Sequence, residues 1–314
     1  MKIAFLFPGQ GSQTVGMGRA FAEESPAATA VWRKADEALG FSLSRLCFEG
    51  PEADLALTAN TQPAILTASV AAAAVLSERG ISPDLCAGHS LGEYSALVVT
   101  GALGFVDAIR LVRKRGEFMQ EAVPVGTGAM AALMGLDLAA AEQACAEAAQ
   151  GEVVNVANIN SPGQIVIAGH RAAVERAVQA AAALGGKKSV LLPVSAPFHS
   201  ALMKPAADRL AAELEQVTPK PPRVPVARNV DAGLTTTADD VRPFLVRQVA
   251  SPVRWTECLH TLAREGATAW LEVGPGRVLT GLLKRTIEGA RGHAVEDPES
   301  LHKAAAALTG GPAA

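Results

Sequence analysis

Residues 84–93 read Asp84-Leu85-Cys86-Ala87-Gly88-His89-Ser90-Leu91-Gly92-Glu93. The apolar run to Gly88 reads as a short buried strand, and the chain passes from it straight into a helix. Gly88-His89-Ser90-Leu91-Gly92 fits the G-x-S-x-G pattern, with the strand before and helix after that such a turn requires. The two glycines let the chain turn sharply. That turn lifts Ser90 to the helix N-terminus, where free amides and the helix dipole favour a developing oxyanion. The plain alternative is a serine that caps a helix at a tight turn.

Outward from this turn, the pattern alternates strand and helix. Lys2 to Phe7 (KIAFLF) is a buried strand ending in the Gly-rich turn Pro8-Gly9-Gln10-Gly11-Ser12-Gln13. Helical periodicity follows over 15–38 and over 61–79, where Thr61 can cap and Pro63 suits the first turn. A further amphipathic helix runs from Phe105 to Ala122, and Val123 to Gly128 reads as a linker. Beyond it come a strand at 129–135, a helix at 136–149, strands at 153–159 and 164–169, a helix at 171–184 and a strand at 189–194. That order, βαββαβ, is the split-βαβ or ferredoxin-like arrangement, and it suits a small inserted unit. The chain then returns to alternation, with a helix at 200–217, a strand around 224–229, helices near 239–249 and 255–265, and a strand at 268–273. Gly274-Pro275-Gly276 turns into a last long helix, and the Ala-rich tail beyond Pro298 is expected to fray. Strands separated by helices imply an α/β fold with a mainly parallel sheet and helices on both faces. The expected division is a core of 1–124 and 196–295, a ferredoxin-like insert at 125–195, and a C-terminal helix or tail at 296–314.

Composition narrows the function. The 314 residues are 49% hydrophobic and 19% charged, which excludes disorder, and a net charge of −3 offers no global field for nucleic acid or an anionic membrane. Aromatic residues, at 4%, are too scattered for a base-stacking platform. Cys47, Cys86, Cys145 and Cys258 lie far apart, without CxxC or zinc spacing, as reduced structural thiols of a cytoplasmic protein do. The N-terminal apolar run is too short for a signal segment. Pro63 to Leu76 falls short of the roughly 20 residues that a bilayer needs. A soluble cytoplasmic protein with no metal, no nucleic acid and no membrane partner is expected.

Ser90 needs a base, because a hydroxyl is a weak nucleophile at neutral pH. His89 is adjacent and would point elsewhere; His170 and His293 sit at element ends, His260 inside a helix and His302 in the tail. His199, in Ala196-Pro197-Phe198-His199-Ser200, lies just past a strand end and just before a helix, where parallel sheets place reactive groups. A helix-capping role is its alternative. An oxyanion hole needs a second donor, and the turn Pro8 to Gln13 is the obvious supplier. That turn lacks G-K-[ST] and the third glycine of a dinucleotide fingerprint, so no nucleotide cofactor is implied. Along the helix 105–122, Arg110, Arg113, Lys114 and Glu117 share one face, while Arg115 falls among Ala108, Leu111, Val112, Phe118 and Met119. A guanidinium among core residues costs several kcal/mol unless an anion meets it. An internal salt bridge is the plainer reading; a socket for a substrate carboxylate is the other.

The blocks FPGQGSQ (7–13), NTQPA (60–64), GHSLGEYSAL (88–97), RGEFMQ (115–120), NINSPGQIVIAG (158–169), APFHSALM (196–203), Gln248 with SPVRW (251–255) and EVGPGRVLTGL (272–282) resemble the malonyl-CoA:acyl carrier protein transacylase family of fatty-acid synthesis. All eight occur in the family's order, nearly end to end. The resemblance implies a hydrolase-like core, Ser90 as the acylated nucleophile and His199 as its base, oriented by the main-chain carbonyl of Gln248. It also implies an oxyanion hole from the N–H groups of Gln10 and Leu91, and Arg115 as the carboxylate socket, against the salt-bridge reading. Gln62 and Asn158 match polar family positions lining the site, and Phe198 resembles the phenylalanine of malonyl-selective relatives. Malonyl-CoA and an acidic acyl carrier protein are the implied partners, the carrier docking at Arg113-Lys114 or Lys187-Lys188, with a monomer as the implied state. A polyketide-pathway acyltransferase would carry the same site, and a serine esterase or thioesterase would share the elbow and the histidine.

Overall fold

The computed structural model describes residues 1–194 and 196–309. In chain order its strands are β1 (Lys2–Phe7), β2 (Leu85–Gly88), β3 (Gly128–Met134), β4 (Val154–Ser161), β5 (Gln164–His170), β6 (Lys188–Leu191), β7 (Val226–Ala227), β8 (Leu234–Thr235), β9 (Ala267–Val273) and β10 (Gly292–Val295). They form a six-stranded sheet of order β10-β9-β1-β2-β7-β8 and a four-stranded sheet of order β4-β5-β3-β6. Every neighbouring pair of the larger sheet is parallel except β7 with β8. The smaller sheet is antiparallel throughout.

The central strand shows why its sequence is continuously apolar. Phe5 and Phe7 enter one core with Trp32, Ile65 and Leu66, while Ala4 and Leu6 enter a second core with Trp255, Leu259 and Leu262. A strand covered on both faces has no polar side to show. The first of these cores is built around the helix Thr58–Glu78. Among the described residues it is the one helix long and apolar enough to cross a membrane, and 78% of that stretch is buried inside the protein, as in a core helix.

Several helix boundaries differ from the periodic reading, each for a local reason. The expected helix 15–38 is two, Arg19–Glu24 and Pro26–Leu39, because Pro26 disfavours a helical Ser25 and the Ser25 hydroxyl instead caps the second helix. The next helix starts at Thr58 rather than Thr61, so Pro63 stands inside it. Pro63 has no N–H for the Ala59 carbonyl, and that carbonyl accepts from the Arg113 guanidinium instead, at 3.2 Å. Short helices Leu43–Glu49 and Glu52–Leu55 intervene unannounced. The strand expected around 224–229 shrinks to β7, and β8 pairs beside it.

The four-stranded sheet packs two helices, Leu138–Ala149 and Arg171–Ala183, against one face. Its other face turns Met130, Val166 and Ala168 into the main core. Its β4 edge is tied to the rest of the chain by backbone bonds from Ile159 N–H to the Val253 carbonyl and from Val253 N–H to the Ala157 carbonyl, both 2.9 Å. β6 ends at Leu191, short of the expected 194, which leaves Leu192 and Val194 outside the sheet.

The end of the chain is the clearest departure. Helix Val278–Thr286 is shorter than the last long helix expected after Gly276, β10 follows it, and within the C-terminal helix or tail expected at 296–314 the residues Pro298–Leu308 are helical rather than frayed. The Asp297 carboxylate caps that helix by accepting from Ser300 N–H at 2.7 Å, and Leu301 and Ala304 are fully buried. The Ala-rich composition concealed an amphipathic pattern with one large anchor; residues 310–314 lie outside the described residues. Leu301→Ala is expected to cost about 2–5 kcal/mol in denaturant unfolding. No change in midpoint would mean that the helix contributes nothing to the core.

Candidate active site

β2 delivers the chain to a turn that only small residues can make. A Cβ at Gly88 would lie 1.8 Å from the Gly92 carbonyl carbon, and one at Gly92 would lie 2.0 Å from the Phe7 carbonyl oxygen. Ser90 between them adopts φ +51°, a conformation that ordinary residues avoid and that tertiary contacts must hold. Those contacts come from Asn229. Its Oδ1 accepts from Ser90 N–H at 2.7 Å and its Nδ2 donates to the Gly88 carbonyl at 2.8 Å, so one amide clasps both sides of the turn.

Ser90 Oγ lies 2.7 Å from His199 Nε2, and His199 Nδ1 lies 2.9 Å from the Gln248 carbonyl oxygen. A carbonyl only accepts, so Nδ1 carries the imidazole proton and Nε2 is left to receive the Ser90 hydroxyl proton. Gln248 sits in the last turn of the helix Ala238–Val249, where main-chain carbonyls fall free of the helical ladder. His199 is 3% exposed and also has a positive φ, +59°. Burial, and then the nearby charge of Arg115, push its pKa from 6.5 down to about 3. It is therefore a neutral acceptor across the physiological range.

Arg115 projects inward from the helix Phe105–Glu121 and is 2% exposed. Its Nη1 donates to Gln62 Oε1 at 2.7 Å, and its Nη2 donates to Gln248 Oε1 at 3.0 Å and Ser90 Oγ at 3.2 Å. All three acceptors are uncharged. The internal salt bridge that the sequence favoured is absent, since Arg115 pairs with no carboxylate among the described residues. The Tyr94 ring lies 5.3 Å from the guanidinium carbon, and Arg115 Nε has no hydrogen-bond partner among the described residues.

A cavity of about 130 Å³ opens in front of these groups. Gln10, Gln62, Ser90, Leu91, Arg115, Asn158, Phe198 and His199 line it, with Met119, Met130, Leu192 and Val194 as apolar wall. The short β6 thus has a use, because the segment after it closes one side of the cavity. The main-chain N–H groups of Gln10 and Leu91 donate to no acceptor among the described residues. Gln248 stands behind the cavity rather than in it. His89 also lines the cavity, with its Nε2 2.8 Å from Asn160 Oδ1 and its ring 5.5 Å from that of Trp255. Of the surface cations, Arg113 pairs with Glu117 at 2.7 Å and Lys114 with Glu213 at 2.6 Å. Lys187 and Lys188 are exposed and make no ion pair among the described residues.

Two residues of the site escaped the sequence reading. Asn229 gave no signal of its own at the end of a short strand. Glu93 could have been found by the argument used for Arg115, since it is a charge in the apolar run Leu91 to Val99, and it is 2% exposed. Burial raises its carboxyl to about 7, although donors from Asn229 and Gln248 and the charge of Arg115 work against that rise.

The family model for the acyl transferase domain matches residues 4–303. The chain is 53% identical to the malonyl CoA-acyl carrier protein transacylase of Escherichia coli K12 over 301 residues, 96% of this chain and 97% of that one. The chain belongs to the malonyl-CoA:acyl carrier protein transacylase family. Among solved structures, the acyl carrier protein S-malonyltransferase of Vibrio cholerae is 50% identical, with TM-score 0.94 over 96% of this chain and 99% of that one. A malonyl-transacylase solved in complex with its type II PKS acyl-carrier protein is likewise 50% identical, with TM-score 0.94 over 97% and 99%. This mixed α/β fold, with its mostly parallel sheet, is therefore the one that transacylases of the family adopt.

The depressed histidine makes a prediction. Inactivation of Ser90 by a sulfonyl fluoride is expected to keep its rate from pH 8 to below 6, because His199 stays unprotonated down to about 3. A loss of rate centred near 6.5 would show an ordinary imidazole. The sign for stability follows: unfolded chain takes up the proton below 6.5 and folded chain does not, so stability falls as pH drops through that window.

Proposed function

We propose that the chain transfers a malonyl group from malonyl-CoA to the phosphopantetheine thiol of an acyl carrier protein through a malonyl ester on Ser90. The observation that carries this reading is the buried Arg115 guanidinium, without a carboxylate partner among the described residues, hydrogen-bonded to the same Oγ that His199 addresses. A carboxylate placed two bonds beyond an acyl carbonyl is the group that such a socket selects. The names of the relatives support the same substrates.

In the first half-reaction Ser90 Oγ attacks the thioester carbonyl carbon and its proton passes to His199 Nε2. The carbonyl oxygen, now negative, takes the N–H groups of Gln10 and Leu91. As the tetrahedral intermediate collapses, the carbon–sulfur bond breaks and His199 returns the proton to the CoA thiolate. The carrier thiol then gives its proton to His199 and attacks the ester, and Ser90 Oγ leaves with that proton. General-base assistance of this kind is worth about 10²–10⁴-fold, and one oxyanion donor about 3–4 kcal/mol. The Gln248 carbonyl holds His199 in the needed tautomer, so no acidic third member is required. Asn158 and Phe198 complete the acyl pocket, Phe198 against an added methyl.

The wider architecture is read in the same terms. The parallel sheet with a serine elbow after β2 supports a hydrolase-like core of 1–124 and 196–295. The order β4-β5-β3-β6 with two helices on one face supports a ferredoxin-like insert at 125–195, and 296–314 is the C-terminal helix and tail. Four buried, unpaired cysteines support a reducing, cytoplasmic setting, and we read the chain as a monomer. Lys187 and Lys188 are the better carrier dock, because Arg113 and Lys114 are already paired. Delivery to a polyketide carrier is a second reading, favoured by the similarity to the PKS malonyl-transacylase. The ratio of kcat/KM for the two carrier types decides between them.

Brief mixing with malonyl-, methylmalonyl- and acetyl-CoA together is expected to yield one malonyl adduct by intact mass, absent from Ser90→Ala. Free malonate without an adduct would make the chain a hydrolase. Arg115→Ala is expected to lower malonyl transfer about 10²-fold while sparing acetyl transfer; equal losses would remove the socket. Lys187→Glu with Lys188→Glu is expected to raise the carrier KM and flatten its salt dependence, and an unchanged KM would exclude that dock.

A further inference from the structure

We infer that Glu93 is the counter-charge of Arg115, held one amide away by Gln248 so that the guanidinium stays open to a substrate carboxylate. The inference rests on the carboxylate-socket reading and adds what makes the socket possible. A buried guanidinium and a buried carboxylate each cost several kcal/mol alone, and a direct pair would relieve both while occupying the donors that a substrate needs. The structure relieves them in series. Glu93 Oε2 accepts from Gln248 Nε2 at 2.8 Å, and Gln248 Oε1 accepts from Arg115 Nη2 at 3.0 Å. The amide orientation is forced, because only its oxygen can face a guanidinium and only its NH₂ can face a carboxylate. The amide oxygen therefore faces the cation and the amide NH₂ faces the carboxylate.

The same carboxylate oxygen reaches the nucleophile from the other side. Glu93 Oε2 accepts Asn229 N–H at 3.0 Å, and Asn229 clasps the Ser90 turn. Gln248 Nε2 also donates to the Ser90 carbonyl at 3.0 Å, while the Gln248 carbonyl orients His199. Glu93 touches neither the cavity nor a reacting atom, so it is a positioning residue that acts on specificity through Gln248. Burial raises its carboxyl pKa, and the donors from Asn229 and Gln248, then the charge of Arg115, work against that rise.

The test compares affinities for malonyl-CoA and acetyl-CoA by calorimetry in Ser90→Ala, which binds without turnover, and in Ser90→Ala with Glu93→Gln. Removing the competing charge is expected to tighten malonyl-CoA on the order of tenfold and leave acetyl-CoA unchanged. A role in folding alone would weaken both ligands, and equal or weaker malonyl-CoA binding overturns the inference. No malonyl preference already in Ser90→Ala would instead overturn the socket reading beneath it. Gln62→Glu in the same background keeps the inference testable if the Glu93 variant fails to fold. It puts a carboxylate directly on Arg115, and malonyl-CoA affinity is expected to drop at least about tenfold more than acetyl-CoA affinity does. Retained malonyl preference there would show that the amide's separation is unnecessary.

Discussion

The close approach of residue 92 to the Phe7 carbonyl is the constraint on which the site depends. With glycine at 88 and 92, the turn after β2 folds against β1 closely enough that a side chain at either position would meet main chain within 2.0 Å. Ser90 takes its positive φ in that turn, and Gln10 from the turn after β1 and Leu91 both line the cavity. The strain is not stored locally alone. Asn229, from the far side of β2, spans Ser90 N–H and the Gly88 carbonyl, and His199 meets the serine from a loop with its own positive φ. Ser90 and His199 are both held in conformations that isolated peptides avoid, as residues of functional sites often are.

The second organising fact is the distribution of buried charge. Arg115, Glu93 and His199 lie within one polar belt and none makes a direct ion pair among the described residues. Neutral amides separate them: Gln248 between guanidinium and carboxylate, Gln62 on the other guanidinium edge. This leaves the Ser90 hydroxyl within reach of both Arg115 and His199. A direct salt bridge to Glu93 would occupy the donors that leave Arg115 open.

Much of this was legible in the residues. β1 and β2 announce themselves as unbroken apolar runs because both faces are covered, and the elbow announces itself because glycine at two defined places has no substitute. Arg115 stood out as a charge on an apolar helical face. Other features were invisible for physical reasons. Gln248 acts partly through a main-chain carbonyl, which every residue has, so no residue type marks it. Pro63 sits inside a helix because Arg113, distant in sequence, takes the carbonyl that proline leaves free. Alanine, whose small surface carries little periodic signal around the single anchor Leu301, left the choice between helix and frayed tail open at 296–314.

By itself the sequence determined the α/β class, the serine turn, the histidine that meets it and the burial of one arginine, since these follow from local sterics and from which side chains tolerate water. Only the tertiary structure decided what meets that arginine. The salt bridge that helical periodicity alone preferred is replaced by amides, with Glu93 one hydrogen bond further off. Partner choice for a buried charge depends on which distant elements converge on it, and convergence of Gln62, Glu93 and Gln248 is a property of three-dimensional packing that no local pattern encodes.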